Sequence, residues 1–261
     1  MPFLTISPDQ FKLFVLIFIR VSVVLFMFPV FGSAVIPALV KAGLALLLTF
    51  VLFPGAGLTV DSFPDSVVQT GILVISELFI GIVLGLSVRL FFASVQLAGQ
   101  IVGFQMGFSI INVVDPLSGS QVSIIDQFGY WVVLLIFLLL NGHHALILAL
   151  GESFHIVAPG WISLNQKLLH QVVSLSVDMF SLAIKIGAPA IAALLLTSSA
   201  FGLCAKFVPQ MNILIAAFPV KIIMGLIFFG MSFQIIAIFA RSYLKGFASL
   251  LRGLLTHMAG G

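Results

Sequence analysis

The stretch Gln105–Ser123, QMGFSIINVVDPLSGSQVS, is the longest polar, turn-forming interruption in a chain that is otherwise almost continuously apolar. Asn112, Asp115-Pro116, Ser118-Gly119-Ser120 and Gln121 all disfavour a continuing helix. Upstream, Gly99, Gly103 and Gly107 stand four apart, a spacing that predicts one glycine-lined helix face against which another backbone comes close. A loop between long apolar helices must sit somewhere wet or protein-lined, because lipid cannot satisfy its backbone groups. The expectation is that it sits in a pore and that the rest of the chain holds it there.

Composition sets the solvent. Hydrophobic residues make up 61% of the 261 positions and charged residues 7%, against about 25% charged in an ordinary soluble domain. With a mean hydropathy of +1.30, the chain reads as an all-α integral membrane protein. The net charge of +3 is spread thinly, without the clustered Lys and Arg of a nucleic-acid surface. Cys204 is the only cysteine, which excludes an intrachain disulfide and a CxxC site. The first apolar run, Phe11–Val30, is longer than a signal-peptide core and is expected to be a retained helix.

Apolar segments run over Phe11–Phe31, Ala38–Phe53, Val67–Phe104, Ile124–Leu150, Leu169–Phe207 and Ile213–Leu255, and the expected architecture is long kinked helical hairpins. Pro37, Pro54, Pro64 and Pro159-Gly160 mark boundaries. About 20 residues cross a bilayer core, so Val67–Phe104 and the last two segments are too long for a simple span. Either they bend, at Pro189 and Pro219 for instance, or they extend beyond the bilayer into a protein assembly.

Charges within these runs favour the assembly. Arg20, Lys41, Glu77, Arg89, Asp178, Lys185 and Lys221 lie in or beside apolar segments, where a lipid-facing charge costs about 2.5–3.5 kcal/mol on insertion scales. Arg20, Glu77 and Lys185 are expected to be buried polar positions used in assembly, whereas Lys41, Arg89 and Lys221 can also snorkel. Lys and Arg divide too evenly between the two sides for the positive-inside rule to orient the chain. Gly81 and Gly85 repeat the small-xxx-small spacing of Gly99 and Gly103. Intramolecular packing is the plain reading of each pair; so many glycines on one helix favour sustained close contact, extending to other subunits.

Catalytic chemistry is missing from the pattern. His143 and His144 point about 100° apart on a helix and cannot chelate one metal as an i,i+4 pair does. Asn141-Gly142-His143-His144 is expected to lie inside an apolar helix. No phosphate loop, HExxH pattern or Ser/His/Asp cluster occurs, so no cofactor is expected and the chain does not read as an enzyme.

Taken in order, RVSVVLFMFPVFG at Arg20–Gly32, ELFIGIVLG at Glu77–Gly85, AGQIVGFQMGFSIINVVDP at Ala98–Pro116, NGHHALILALGESF at Asn141–Phe154 and PQMNILIAAFPVKI at Pro209–Ile222 resemble the FliR family, the flagellar branch of the type III secretion export gates. The resemblance implies a hetero-oligomer with FliP and FliQ homologues in the bacterial inner membrane, at the flagellar basal body, with FlhB as a further partner. It implies a FliP-like part over residues 1–164 and a FliQ-like hairpin over 165–261, whose tip, 206–212, includes Lys206, Pro209, Gln210 and Asn212. It also places the 105–123 loop in a central channel as a plug, past which unfolded flagellar proteins are secreted. Met106, Gly107 and Phe108 would then close the channel, with Asp115-Pro116 fixing the turn. A small-solute or ion transporter is the rival expectation, since intramembrane charges and proline-broken helices occur there too.

Overall fold

The computed structural model describes residues 7–32, 36–54, 66–108, 124–160, 162, 163, 165–207 and 213–260. Their regular structure is helical throughout: α1 (Pro8–Met27), α2 (Ala38–Leu52), α3 (Val67–Met106), α4 (Ile124–Leu139), α5 (Gly142–Ile156), α6 (Gln166–Phe207) and α7 (Ile213–Met258). Among the described residues, four helices are long and apolar enough to cross a membrane, and the α4–α5 pair, bent by 67°, passes the same test as one broken span. The chain is an all-α membrane protein.

The ends of the helices follow from local chemistry. α1 starts earlier than its apolar run because Ser7-Pro8-Asp9-Gln10 forms a capping box. The Ser7 hydroxyl accepts from the Gln10 N–H, the Gln10 side chain accepts from the Ser7 N–H, and Pro8 occupies the first turn where no donor is needed. Asn165 starts α6: its Oδ1 accepts from the Leu168 N–H at 2.8 Å, and its amide donates to the His257 carbonyl at the end of α7. Pro189 and Pro219 lie within continuous helices rather than ending them. At about 1.5 Å per residue, the 40 residues of α3 extend roughly 60 Å, twice a hydrocarbon core.

The Asn141–His144 segment departs from its expectation. It breaks the helix instead of lying within it: α4 ends at Leu139, and Asn141 takes the left-handed conformation, φ 58°, before α5 begins at Gly142. Asn and Gly are the residues that reach this region most readily, and the surrounding apolar run hid the turn. The His143 and His144 rings lie tilted against each other, 4.2 Å between centroids, and His144 Nδ1 lies 3.3 Å from Asn141 Oδ1.

The residues group into two compact units. The first comprises 1–90, 141–175 and 244–261. Its buried face is built from Leu13, Ile17, Val21 and Val24 of α1, Ile80 and Leu84 of α3, and Leu146, Leu150 and Phe154 of α5. Gly81 and Gly85 allow α1 to approach α3: a Cβ on Gly81 would lie 2.8 Å from Val23 Cβ, and one on Gly85 2.5 Å from Met27 Cβ. Within this chain, the close contact expected of these glycines is made against α1. The second unit comprises 91–140 and 176–243. Phe92 packs on Phe137, and Val102, Met106, Ile125, Ala190, Leu194 and Phe229 close a core.

Asn141 gives a test of this fold. Asn141→Val, which places a β-branched residue at positive φ, is expected to cost about 1–2 kcal/mol, whereas Asn141→Gly is tolerated; thermal unfolding of the purified protein in detergent distinguishes the two.

Candidate functional site

The loop singled out by sequence leaves the end of α3, and that end is a Schellman motif. The Phe108 N–H donates to the Gly103 carbonyl at 3.1 Å and the Gly107 N–H to the Phe104 carbonyl at 3.0 Å. Gly107 supplies the required left-handed turn, φ 93°. Gly107 thus lies past the helix and not on the face that carries Gly99 and Gly103, which corrects the expectation of one continuous glycine stripe. Its role is to end α3 while keeping the last carbonyls bonded.

Met106 is turned inward. No part of it is exposed, and it packs among Val102, Ile125, Ala190, Leu194 and Phe229. Its Cγ and Sδ lie 2.5 Å from where a Cβ on Gly225 would be. A methionine held this deeply anchors the root of the loop. Phe108, half-buried, packs against the same core from its edge.

The far end of the loop enters α4, and the two flanking helices touch. A Cβ on Gly99 would fall 2.5 Å from Asp126 Cα and 2.9 Å from Asp126 N, so only glycine permits this crossing. Gln100 donates to Asp126 Oδ2 at 3.1 Å beside it. Gly103 is buried on the same helix. Asp115 and Pro116 lie outside the described residues, as do Pro209, Gln210 and Asn212 of the expected hairpin tip.

Arg20 and Glu77 form the buried polar centre of the first unit. Neither is exposed to solvent, and the guanidinium meets the carboxylate twice, Nε to Oε2 at 2.6 Å and Nη2 to Oε1 at 3.1 Å. Nη1 donates to the Ser153 carbonyl at 3.0 Å and hydroxyl at 3.1 Å, and Nη2 to the Val157 carbonyl at 3.2 Å. A guanidinium has five N–H donors, and each has an acceptor here. Phe154 lies under the cation, 4.4 Å from Cζ to the ring centroid. Glu77 Oε1 also accepts from the Gly160 N–H at 2.7 Å. Gly160 has φ 82°, and any Cβ on it would collide with Leu73.

The other charges behave differently. Lys185, expected to be buried, is exposed on α6 of this chain, as are Asp178, Arg89 and Lys206. Lys41 is buried, its ammonium 5.7 Å from the centroid of Phe26. Sequence reading passed over Ser153 and Asp126, and took Gly160 only as part of a boundary turn. Asp126 carried a usable signal, an ionisable residue at the head of an apolar run; Ser153 carried none that distinguished it. Among the described residues, no three His, Cys, Asp or Glu side chains gather as a metal site would.

Breaking a buried ion pair from one side leaves an uncompensated charge, a cost of about 3–5 kcal/mol. Arg20→Ala and Glu77→Ala are each expected to deplete the protein from membranes, and the apolar pair Arg20→Met with Glu77→Leu to restore much of it. Quantitative immunoblotting of membrane fractions measures this.

With that geometry in view, comparison with other proteins is specific. The family described as bacterial export proteins, family 1, matches residues 11–247. The flagellar biosynthetic protein FliR of Bacillus subtilis (strain 168) is 33% identical over 252 residues, covering 95% of this chain and 96% of the relative. That of Pectobacterium carotovorum subsp. carotovorum is 29% identical over 245 residues (93% and 92%). That of Escherichia coli (strain K12) is 29% identical over 240 residues (92% and 91%). The chain belongs to family 1 of the bacterial export proteins.

Proposed function

We propose that this chain is a subunit of the flagellar protein export gate, in which the segment 105–123 plugs a channel used by unfolded flagellar proteins. Membership of a bacterial export family over residues 11–247 supports the broad assignment, as does similarity to flagellar FliR proteins along nearly the whole chain. The observation that carries the gating role is the crossing at Gly99 and Asp126. It ties together the two helices from which the longest polar interruption leaves and returns. In this reading the segment, joined to the core at both ends, acts as a stopper on a fixed mount.

In this proposal the role is mechanical and not catalytic. Phe108 continues the loop toward the channel, Asp115-Pro116 shapes its turn, and Met106 and Gly107 hold its root. Residues 1–164 play the FliP-like part and 165–261 the FliQ-like hairpin, with FliP, FliQ and FlhB homologues as partners in the bacterial inner membrane at the flagellar basal body. Exposed apolar side chains along α2, α6 and α7, among them Leu39, Val51, Leu196, Phe207 and Ile215, provide surface for those partners and for lipid.

Deleting Phe108–Ser120 is expected to raise ion leakage across the cell membrane several-fold while the complex still assembles. Ion flux and co-purification of different small membrane proteins are the readouts. A tight membrane with an assembled complex rejects the plug role, and recovery of the chain only as a homo-oligomer rejects the gate.

A further inference from the structure

One face of α7 is shaped around the root of the loop. Phe218, Ile222, Gly225 and Phe229 stand at i, i+4, i+7 and i+11, a spacing that keeps them on one side of a helix. Met106 fills the gap left by the missing side chain of Gly225: its Cγ and Sδ lie 2.5 Å, and its Cε 2.9 Å, from where a Cβ would stand. At the next residue, Gly107 meets Phe218, whose Cε2 and Cζ lie 2.9 Å from the position of a Cβ on Gly107. Phe229 and Ile222 complete the seat. The loop root is thus held at two points, each of which needs a glycine: one on α7, one on the root itself.

A proline divides those two points. Pro219 lies within α7 directly after Phe218. It has no N–H to give to the carbonyl one turn back, and its ring crowds that carbonyl. The turn carrying Phe218 is therefore less firmly joined to the rest of α7 than the turn carrying Gly225. Met106, unbranched with three rotatable side-chain bonds, can leave the Gly225 gap by a change of rotamer. The bonds from Phe108 to Gly103 and from Gly107 to Phe104 need not break for this to happen.

We propose that Phe218 and Gly225 of α7 form a catch for the plug: Met106 seated on Gly225 and Gly107 against Phe218 hold the root of the loop closed, and secretion requires Met106 to leave its seat. Phe218 and Gly225 are positioning residues, acting on the channel through the loop. The proposal rests on the plug reading above and adds the residues that govern it.

The test uses the assembled complex in cells, with Cys204→Ser removing the native thiol. In that background Met106→Cys with Gly225→Cys places two thiols where the side chain of Met106 now meets Gly225. Mild oxidation is expected to join them, to stop secretion of flagellar proteins and to leave the membrane tight, with a reductant restoring secretion. Either single cysteine should be insensitive to the same treatment. A disulfide that forms without arresting secretion overturns the catch, and so does failure of the pair to cross-link in an assembled complex. Independently, Gly225→Val is expected to unseat Met106 and raise ion leakage several-fold. A tight membrane in Gly225→Val alongside a leaking Phe108–Ser120 deletion defeats the catch alone; a tight membrane in both defeats the plug reading with it. If Gly225→Val does not assemble, the reversible cross-link decides.

Discussion

Inside a membrane every hydrogen-bonding group must find its partner within the protein, and Arg20 is the residue in which this demand is most concentrated. Its guanidinium ties α1 to Glu77 on α3 and to the last carbonyls of α5 through Ser153 and Val157. Glu77 passes the connection on to the backbone of Gly160. The pair does more than neutralise charge. It joins the first helix, the longest early helix and the end of α5 at one point, with the planar fork of arginine fixing direction as well as distance. Smaller polar side chains obey the same rule locally: Thr49, Ser76 and Thr197 each donate to the carbonyl four residues back and so demand nothing from their surroundings.

Close approach between helices is the second requirement, and glycine meets it at specific points. Gly81 and Gly85 admit Val23 and Met27 of α1; Gly99 admits the backbone of Asp126. These contacts let bulky apolar neighbours pack without voids, which in a bilayer replaces the driving force that water supplies elsewhere. They also explain why a chain with so few charges has defined internal geometry. Shape is specified where backbones touch, and the large aliphatic side chains fill in around those points.

Much of this was legible in the residues themselves. The all-α membrane character, the main helical segments, the interrupted stretch at 105–123 and the importance of Arg20 and Glu77 all follow from hydropathy, proline and glycine placement, and the cost of burying charge. The partnership of Arg20 with Glu77 was not legible, because 57 positions separate them and hydropathy carries no information about which helices adjoin. The break at Asn141 was hidden by its apolar flanks, although Asn-Gly is a turn signal in any setting. Glycine spacing announced a close contact but not its partner, so the approach of α1 to Gly81 and Gly85 could not be told apart from contact with another subunit. Met106 continues the buried stripe of Val95, Ala98 and Val102 at helical spacing, but the apolar composition of the whole segment hid which face of α3 turns inward.

The end of α3 brings these constraints together. A helix that stops inside a membrane protein leaves carbonyls without partners, and here the turn at Gly107 returns N–H groups to Gly103 and Phe104. Met106, one turn beyond Val102 on the same buried face of α3, already points into the core when the chain reverses. Satisfying the backbone and anchoring the loop therefore fall on adjacent residues. The helix that follows the loop cannot drift, because Gly99 and Asp126 hold it against α3. The residues on either side of the loop are thus hydrogen-bonded, packed and held together within the described structure.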